Sequence, residues 1–119
     1  MDNELEKLEY NIQIKNLRYE KQKEEYDIKV DRSSVIGNPF YLGTDNPHSR
    51  EIVCRKYGKW LKRELEHNNS LVEKELRKLQ KIYKKHGRVN LFCWCVPKRC
   101  HAEEIKKELI QSIINKVDF

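Results

Sequence analysis

The stretch Arg88-Val89-Asn90-Leu91-Phe92-Cys93-Trp94-Cys95-Val96-Pro97 decides the fold. It is apolar at both odd and even positions, so neither face of the segment is suited to water. A strand covered on both faces is the mark of a parallel sheet. Pro97 has no N–H to give to a ladder and ends the run. The segment reads as the central strand of the domain, over Leu91 to Val96.

Two helices precede it. The first runs over Arg50 to His67, with Ile52, Val53, Tyr57, Trp60, Leu61 and Leu65 on one stripe at a 3.6-residue period. Ser49 is placed to cap it. Asn68 and Asn69 interrupt the pattern, and Ser70 with Glu73 forms the S-x-x-E pattern of a capping box. The second helix carries Val72, Leu76, Leu79 and Tyr83 and stops at Gly87. A last helix starts near His101 and buries Ile105, Leu109, Ile113, Ile114 and Val117.

Nearer the N-terminus, Ile12 and Ile14 alternate with polar residues, as do Ile28 and Val30. These read as two short strands, the second over Asp27 to Arg32. Residues 1–9 are a charged lead-in with short-helix character, and 10–119 form one α/β domain. A helix over the whole of 1–25 is the competing reading, since Leu5, Leu8 and Ile12 share a helical face while Ile14 and Leu17 fit it less well. Residues 33–48 read as a loop punctuated by Gly37, Pro39, Gly43 and Pro47. The expected fold is a small three-layer Rossmann-like sheet in the order β-β-α-α-β-α, with right-handed crossovers and both long helices on the sheet. Expected core residues are Ile28, Val30, Ile52, Trp60, Leu61, Leu76, Leu79, Leu91, Ile105 and Leu109.

The bulk properties narrow the class. A chain of 119 residues makes one ordinary domain. Its net charge of +6 favours acidic partners without choosing among nucleic acid, an acidic protein face and an anionic ligand. No apolar run approaches the roughly 20 residues of a membrane span, and the start MDNELEKLEY has no apolar signal region. A cytoplasmic location follows as the expectation, with Cys54, Cys93, Cys95 and Cys100 reduced.

Ligands of open parallel sheets collect outside the carboxyl ends of the strands. The Gly37-Asn38-Pro39-Phe40 loop follows one strand and the turn after Val96 follows another. Arg32, Asn38, Arg50, Cys95, Cys100 and His101 can therefore converge at one edge, with Cys100 and His101 at a helix N-terminus that favours an anion. The competing reading has Asn38 only bonding local backbone and Phe40 plugging the core. Cys93, Cys95, Cys100 and His101 supply the ligand types of a zinc site. In an extended strand, however, Cys93 and Cys95 stand about 7 Å apart along one face, which favours core packing and no metal. Adjacent residues on a helix do not face each other, so Cys100 and His101 make a poor catalytic dyad. No catalytic set and no cofactor are indicated. The second helix is rich in basic residues, among them Lys78, Lys81 and Lys85 with Tyr83 between, and such a face can follow phosphates or simply be solvated.

The GNPF loop after a strand containing Arg32, combined with Cys93-Trp94-Cys95-Val96-Pro97 and Cys100-His101 and two helices between, resembles a family of small phage and bacterial proteins classed only as a domain of unknown function. The resemblance spans residues 12–115. The family has Gly-Arg-Pro where this chain has Asp31-Arg32-Ser33. It implies a phage or mobile-element origin. It also implies an inhibitor in the host cytoplasm that binds and blocks a larger anti-phage defence protein, an NAD-depleting effector being one candidate target. Partner-binding candidates are Tyr10, Tyr19, Tyr26, Tyr41, Lys78, Lys81, Tyr83 and Lys85. The first alternative is a nucleotide-like ligand-binding or processing domain using the GNPF edge. The second is a nucleic-acid binder using the basic helix.

Overall fold

The computed structural model describes residues 3–67, 70–117 and 119, without the side chain of Ser70. Strands β1 (Ile12–Asn16), β2 (Asp27–Lys29) and β3 (Val89–Cys93) form one sheet in the order β1-β3-β2. Both pairings are parallel. Ile12 lies opposite Val89, while Ile14 and Ile28 both lie opposite Leu91. The central position of β3 agrees with its apolar character, and all five of its residues are buried.

Four helices complete the chain among the described residues: α1 (Glu4–Asn11), α2 (Pro47–Glu66), α3 (Ser70–His86) and α4 (Ala102–Ile114). The expected β-β-α-α-β-α order is present, preceded by α1, which extends the lead-in helix to Asn11 and buries only Leu8. Helices α3 and α4 pack on β3, while α2 lies against α3 and α4 and α1 against α4. Strand alternation sends Val89, Leu91 and Cys93 into one core with Leu61, Leu76, Leu79, Ile105 and Leu109. Asn90 and Phe92 point the other way, into a polar cavity walled by Lys15, Tyr19 and Tyr26. That face is covered by the 17–26 connection, whereas the three-layer expectation put helices there. Both kinds of cover bury β3, so its composition does not tell them apart.

Several boundaries differ from the sequence expectation for local reasons. Helix α2 begins at Pro47, because Asn46 and not Ser49 is its cap: the Asn46 side chain accepts from Ser49 N. The buried residues of α2 are Cys54, Tyr57 and Leu61, so Ile52 falls off the stripe and is 42% exposed. Ile114 and Val117, expected in the core, are exposed at and beyond the end of α4. Helix α3 ends as expected, with Gly87 at φ +69. The Ser70 capping box and the Asn68-Asn69 break lie outside what is described.

Strand β3 stops at Cys93, not at Val96. The Asn16 side chain takes the carbonyls of Trp94 and Val96, at 3.3 and 2.8 Å, and so bends the chain away from the sheet. Lys98 N then donates to Cys95 O at 2.8 Å, closing a turn that leads back to α4.

Candidate functional site

The bend after β3 and the loop after β2 meet at the carboxyl edge of the sheet. The loop is built by a run of local bonds. Ser34 N donates to Asp31 O, Gly37 N to Ser34 O, and Phe40 N to the Asn38 side chain, each at 2.9 Å. Gly37 is required by close approach: a Cβ there would stand 2.2 Å from Asp31 O and 2.7 Å from Arg32 Cα. The loop is tied to α2 by Tyr57, whose buried hydroxyl donates to Ile36 O at 2.6 Å. Arg32 clamps its far side, donating to Asn38 O at 2.6 Å and Phe40 O at 2.8 Å.

Between loop and bend lies a cavity of about 360 Å³. All six ligand-binding candidates, Arg32, Asn38, Arg50, Cys95, Cys100 and His101, line it. The structure adds residues that sequence reasoning missed: Asp31, Leu42, Val53, Cys54, Cys93, Trp94 and Arg99. Trp94 stands 56% exposed at the rim, its indole N–H donating to Asp31 at 3.0 Å. Its position between Cys93 and Cys95 was the available signal, because a large ring there interrupts the strand alternation.

The charges here are largely internally matched. Arg50 pairs with Asp45 at 2.5 Å and donates to Arg99 O. Arg50 and Lys98 together hold Asp45 down to about 2. Arg99 binds Glu51, Glu103 and Glu104 at 2.7, 3.2 and 3.2 Å. Arg32 differs: its bonds go to backbone carbonyls, and among the described residues no carboxylate pairs with it. The N-terminus of α4, expected to attract an anion, is occupied by the chain itself, since Cys100 N donates to the Glu103 carboxylate at 3.0 Å.

His101 is buried just before α4, outside its first turn. Nε2 stands 2.6 Å from Val30 O, so Nε2 carries the proton and Nδ1 is an acceptor. Burial holds the imidazole below its usual range. Nδ1 lies 3.6 Å from Cys100 Sγ. The two side chains therefore do meet, contrary to the helical expectation, because both residues precede the regular helix.

The expected separation of Cys93 and Cys95 rests on an extended strand through both residues, and β3 ends at Cys93. The neighbouring thiols of Cys100 and Cys93, and then the Arg50 guanidinium, hold Cys95 far below the usual thiol range. Burial pushes Cys54 up to about 11. Among the described residues no group of three His, Cys, Asp or Glu side chains is arranged to hold a metal ion.

The partner-binding candidates are dispersed. Tyr10, Tyr19 and Tyr41 are 70, 74 and 85% exposed, on three different segments. Tyr26 and Tyr83 are not free anchors: both are half-buried, Tyr26 under His86 and Arg88, and Tyr83 against the core. Lys78, Lys81 and Lys85 are exposed along a groove on α3, with Lys85 paired to Glu25. No helix among the described residues is long and apolar enough to cross a membrane.

No curated protein and no solved structure matches the chain. A family model described as a domain of unknown function, DUF4326, matches residues 12–111. That interval contains both strand-end motifs and every residue that lines the cavity, and the chain belongs to this family.

Proposed function

We propose that the cavity at the carboxyl edge of the sheet binds a small ligand with one anionic group and a flat ring, a nucleotide-like molecule being the best fit. The single observation that carries this reading is Arg32, a guanidinium without a carboxylate partner among the described residues, held at the mouth of a concave site. Trp94 offers a ring face for stacking. Leu42, Val53 and the thiols give an apolar wall, and the volume lies within the roughly 300–1,000 Å³ of ligand pockets. A Rossmann-like relation of ligand to sheet belongs to the same reading, with the ligand beyond the carboxyl ends of parallel strands. The test is a thermal-shift screen of inorganic phosphate, nucleotides, ADP-ribose-like compounds and NAD. A ligand at 100 times its Kd adds about 2.7 kcal/mol of stability. The stabilisation is expected for the wild type and lost in Arg32→Ala. A ligand that stabilises both alike, or no stabilisation by any compound, would refute the reading.

A second reading is a phage-encoded inhibitor that binds a host defence protein in the cytoplasm. The observation favouring it is the exposure of Tyr10, Tyr19 and Tyr41, since aromatic anchors dominate protein interfaces. Pull-down from a bacterial host lysate tests it. One stoichiometric protein, released by Tyr41→Ala or Tyr19→Ala, is expected. Recovery of nucleic acid alone, abolished by charge reversal at Lys78, Lys81 and Lys85, would replace it with the nucleic-acid alternative.

A further inference from the structure

All four cysteines of the chain line the one cavity. Cys54, Cys93 and Cys100 are 4, 1 and 2% exposed, and Cys95 alone is partly open to solvent. A small oxidant entering the cavity therefore meets Cys95 first, with the buried Cys100 lining the same cavity and separated from Cys95 by the turn that Lys98 N closes on Cys95 O. We propose that Cys95 is a peroxide-reactive cysteine and that Cys100 is the thiol that resolves it into a disulfide. The inference does not depend on the cavity taking an anionic ligand.

The surroundings of Cys95 suit the first step. Cys93, Cys100 and Arg50 line the same cavity, and the thiols of Cys100 and Cys93 and then the Arg50 guanidinium hold Cys95 below the usual thiol range. The other titrating groups nearby do not compete. Asp45 is engaged by Arg50 and Lys98, Cys54 is kept protonated by burial, and His101 is kept neutral by burial. The Cys95 thiolate attacks one oxygen of a hydroperoxide. An S–O bond forms and the O–O bond breaks. The departing oxygen takes a proton and leaves as water or an alcohol, and Cys95 becomes a sulfenic acid. The sulfur has lost two electrons and the peroxide has gained them.

The second step uses Cys100. Its sulfur attacks the Cys95 sulfur and expels hydroxide, which departs as water with the proton of Cys100. His101 Nδ1, an acceptor 3.6 Å from Cys100 Sγ, is placed to take that proton on the way. Cys100 is favoured over Cys93 as the resolving thiol because it lies in the turn before α4, whereas Cys93 is held in register by β3. An external dithiol returns the pair to the reduced state.

The experiment exposes the full-length chain to equimolar hydrogen peroxide and maps the products by peptide mass spectrometry after blocking free thiols. A Cys95–Cys100 link, reversed by dithiothreitol, is expected. In Cys100→Ser the expected product is a dimedone adduct at Cys95, and in Cys95→Ser neither product forms. Since a cavity variant can fail to fold, the wild type is also alkylated with iodoacetamide at pH 6. There Cys95 should react about ten-fold or more faster than free cysteine, whose thiolate is scarce at that pH. A Cys93–Cys95 link, first labelling at another cysteine, or reaction of Cys95 no faster than free cysteine would overturn the proposal.

Discussion

Replacing Gly37 by alanine probes the part of the fold that places Arg32. Gly37 does not have a positive φ, so the cost of a side chain there is steric. The added Cβ would lie 2.2 Å from Asp31 O, 2.7 Å from Arg32 Cα and 2.9 Å from Asp31 C. All three contacts are backbone, so no flexible side chain can swing away. The loop must retreat by more than about 1 Å to reach ordinary contact. Overpacking of this kind costs about 1–3 kcal/mol, with the backbone contact placing Gly37→Ala near the top of that range. The gain from a stiffer unfolded chain offsets roughly 0.4–1 kcal/mol. A net loss of about 2 kcal/mol is expected, which lowers Tm by roughly 8 °C for a domain of this length. Gly43→Ala is the internal control, because its Cβ meets nothing nearer than Tyr41 Cε1 at 4.0 Å. Urea and thermal unfolding of both variants decide the matter. Equal stability of Gly37→Ala and Gly43→Ala would refute the reasoning, and with it the claim that close approach selects the glycine of the GNPF loop.

Leu91→Ala, at the centre of the sheet and fully buried, should cost about 2–5 kcal/mol in urea unfolding. Tyr57→Phe removes the buried hydrogen bond to the Ile36 carbonyl and should cost about 1–3 kcal/mol, with ring packing on His101 preserved. His101 makes stability depend on pH. Its folded-state pKa is depressed, so its contribution is complete above the unfolded value of about 6.5. It is lost progressively as pH falls from there through the folded value, because the unfolded chain binds the proton more readily. Urea midpoints measured between pH 7.5 and 5 should fall in the wild type, and fall less steeply in His101→Gln.

Periodicity made most of the elements legible. The alternation at Ile12 and Ile14, the stripe at Leu76 and Leu79 and the glycine after His86 each reflect a local rule, and each marks the element that forms. Misplaced residues such as Ile52 and Val117 lie where a stripe is one residue too wide or outlasts its helix. Asn46 and Ser49 are both good capping residues, and only the backbone geometry selects Asn46 as the cap of α2. The six expected cavity residues were found from topology alone, since parallel strands must end at the same edge.

The sequence by itself determined a parallel sheet with β3 at its centre, flanked by amphipathic helices, and a loop and a turn that share one edge. Those properties depend on patterns within about ten residues and on the handedness of crossovers. Tertiary structure alone decided which face of the sheet the helices cover, which of the cavity's arginines lacks a carboxylate among the described residues, and which thiols line the cavity. Glu51 pairs with Arg99, Asn16 bends the chain after Cys93 from 78 residues away, and Val30 selects the tautomer of His101. Each of these is a contact between segments distant in sequence. Such a contact has no period and no local propensity, and it exists only once the core has brought the segments together.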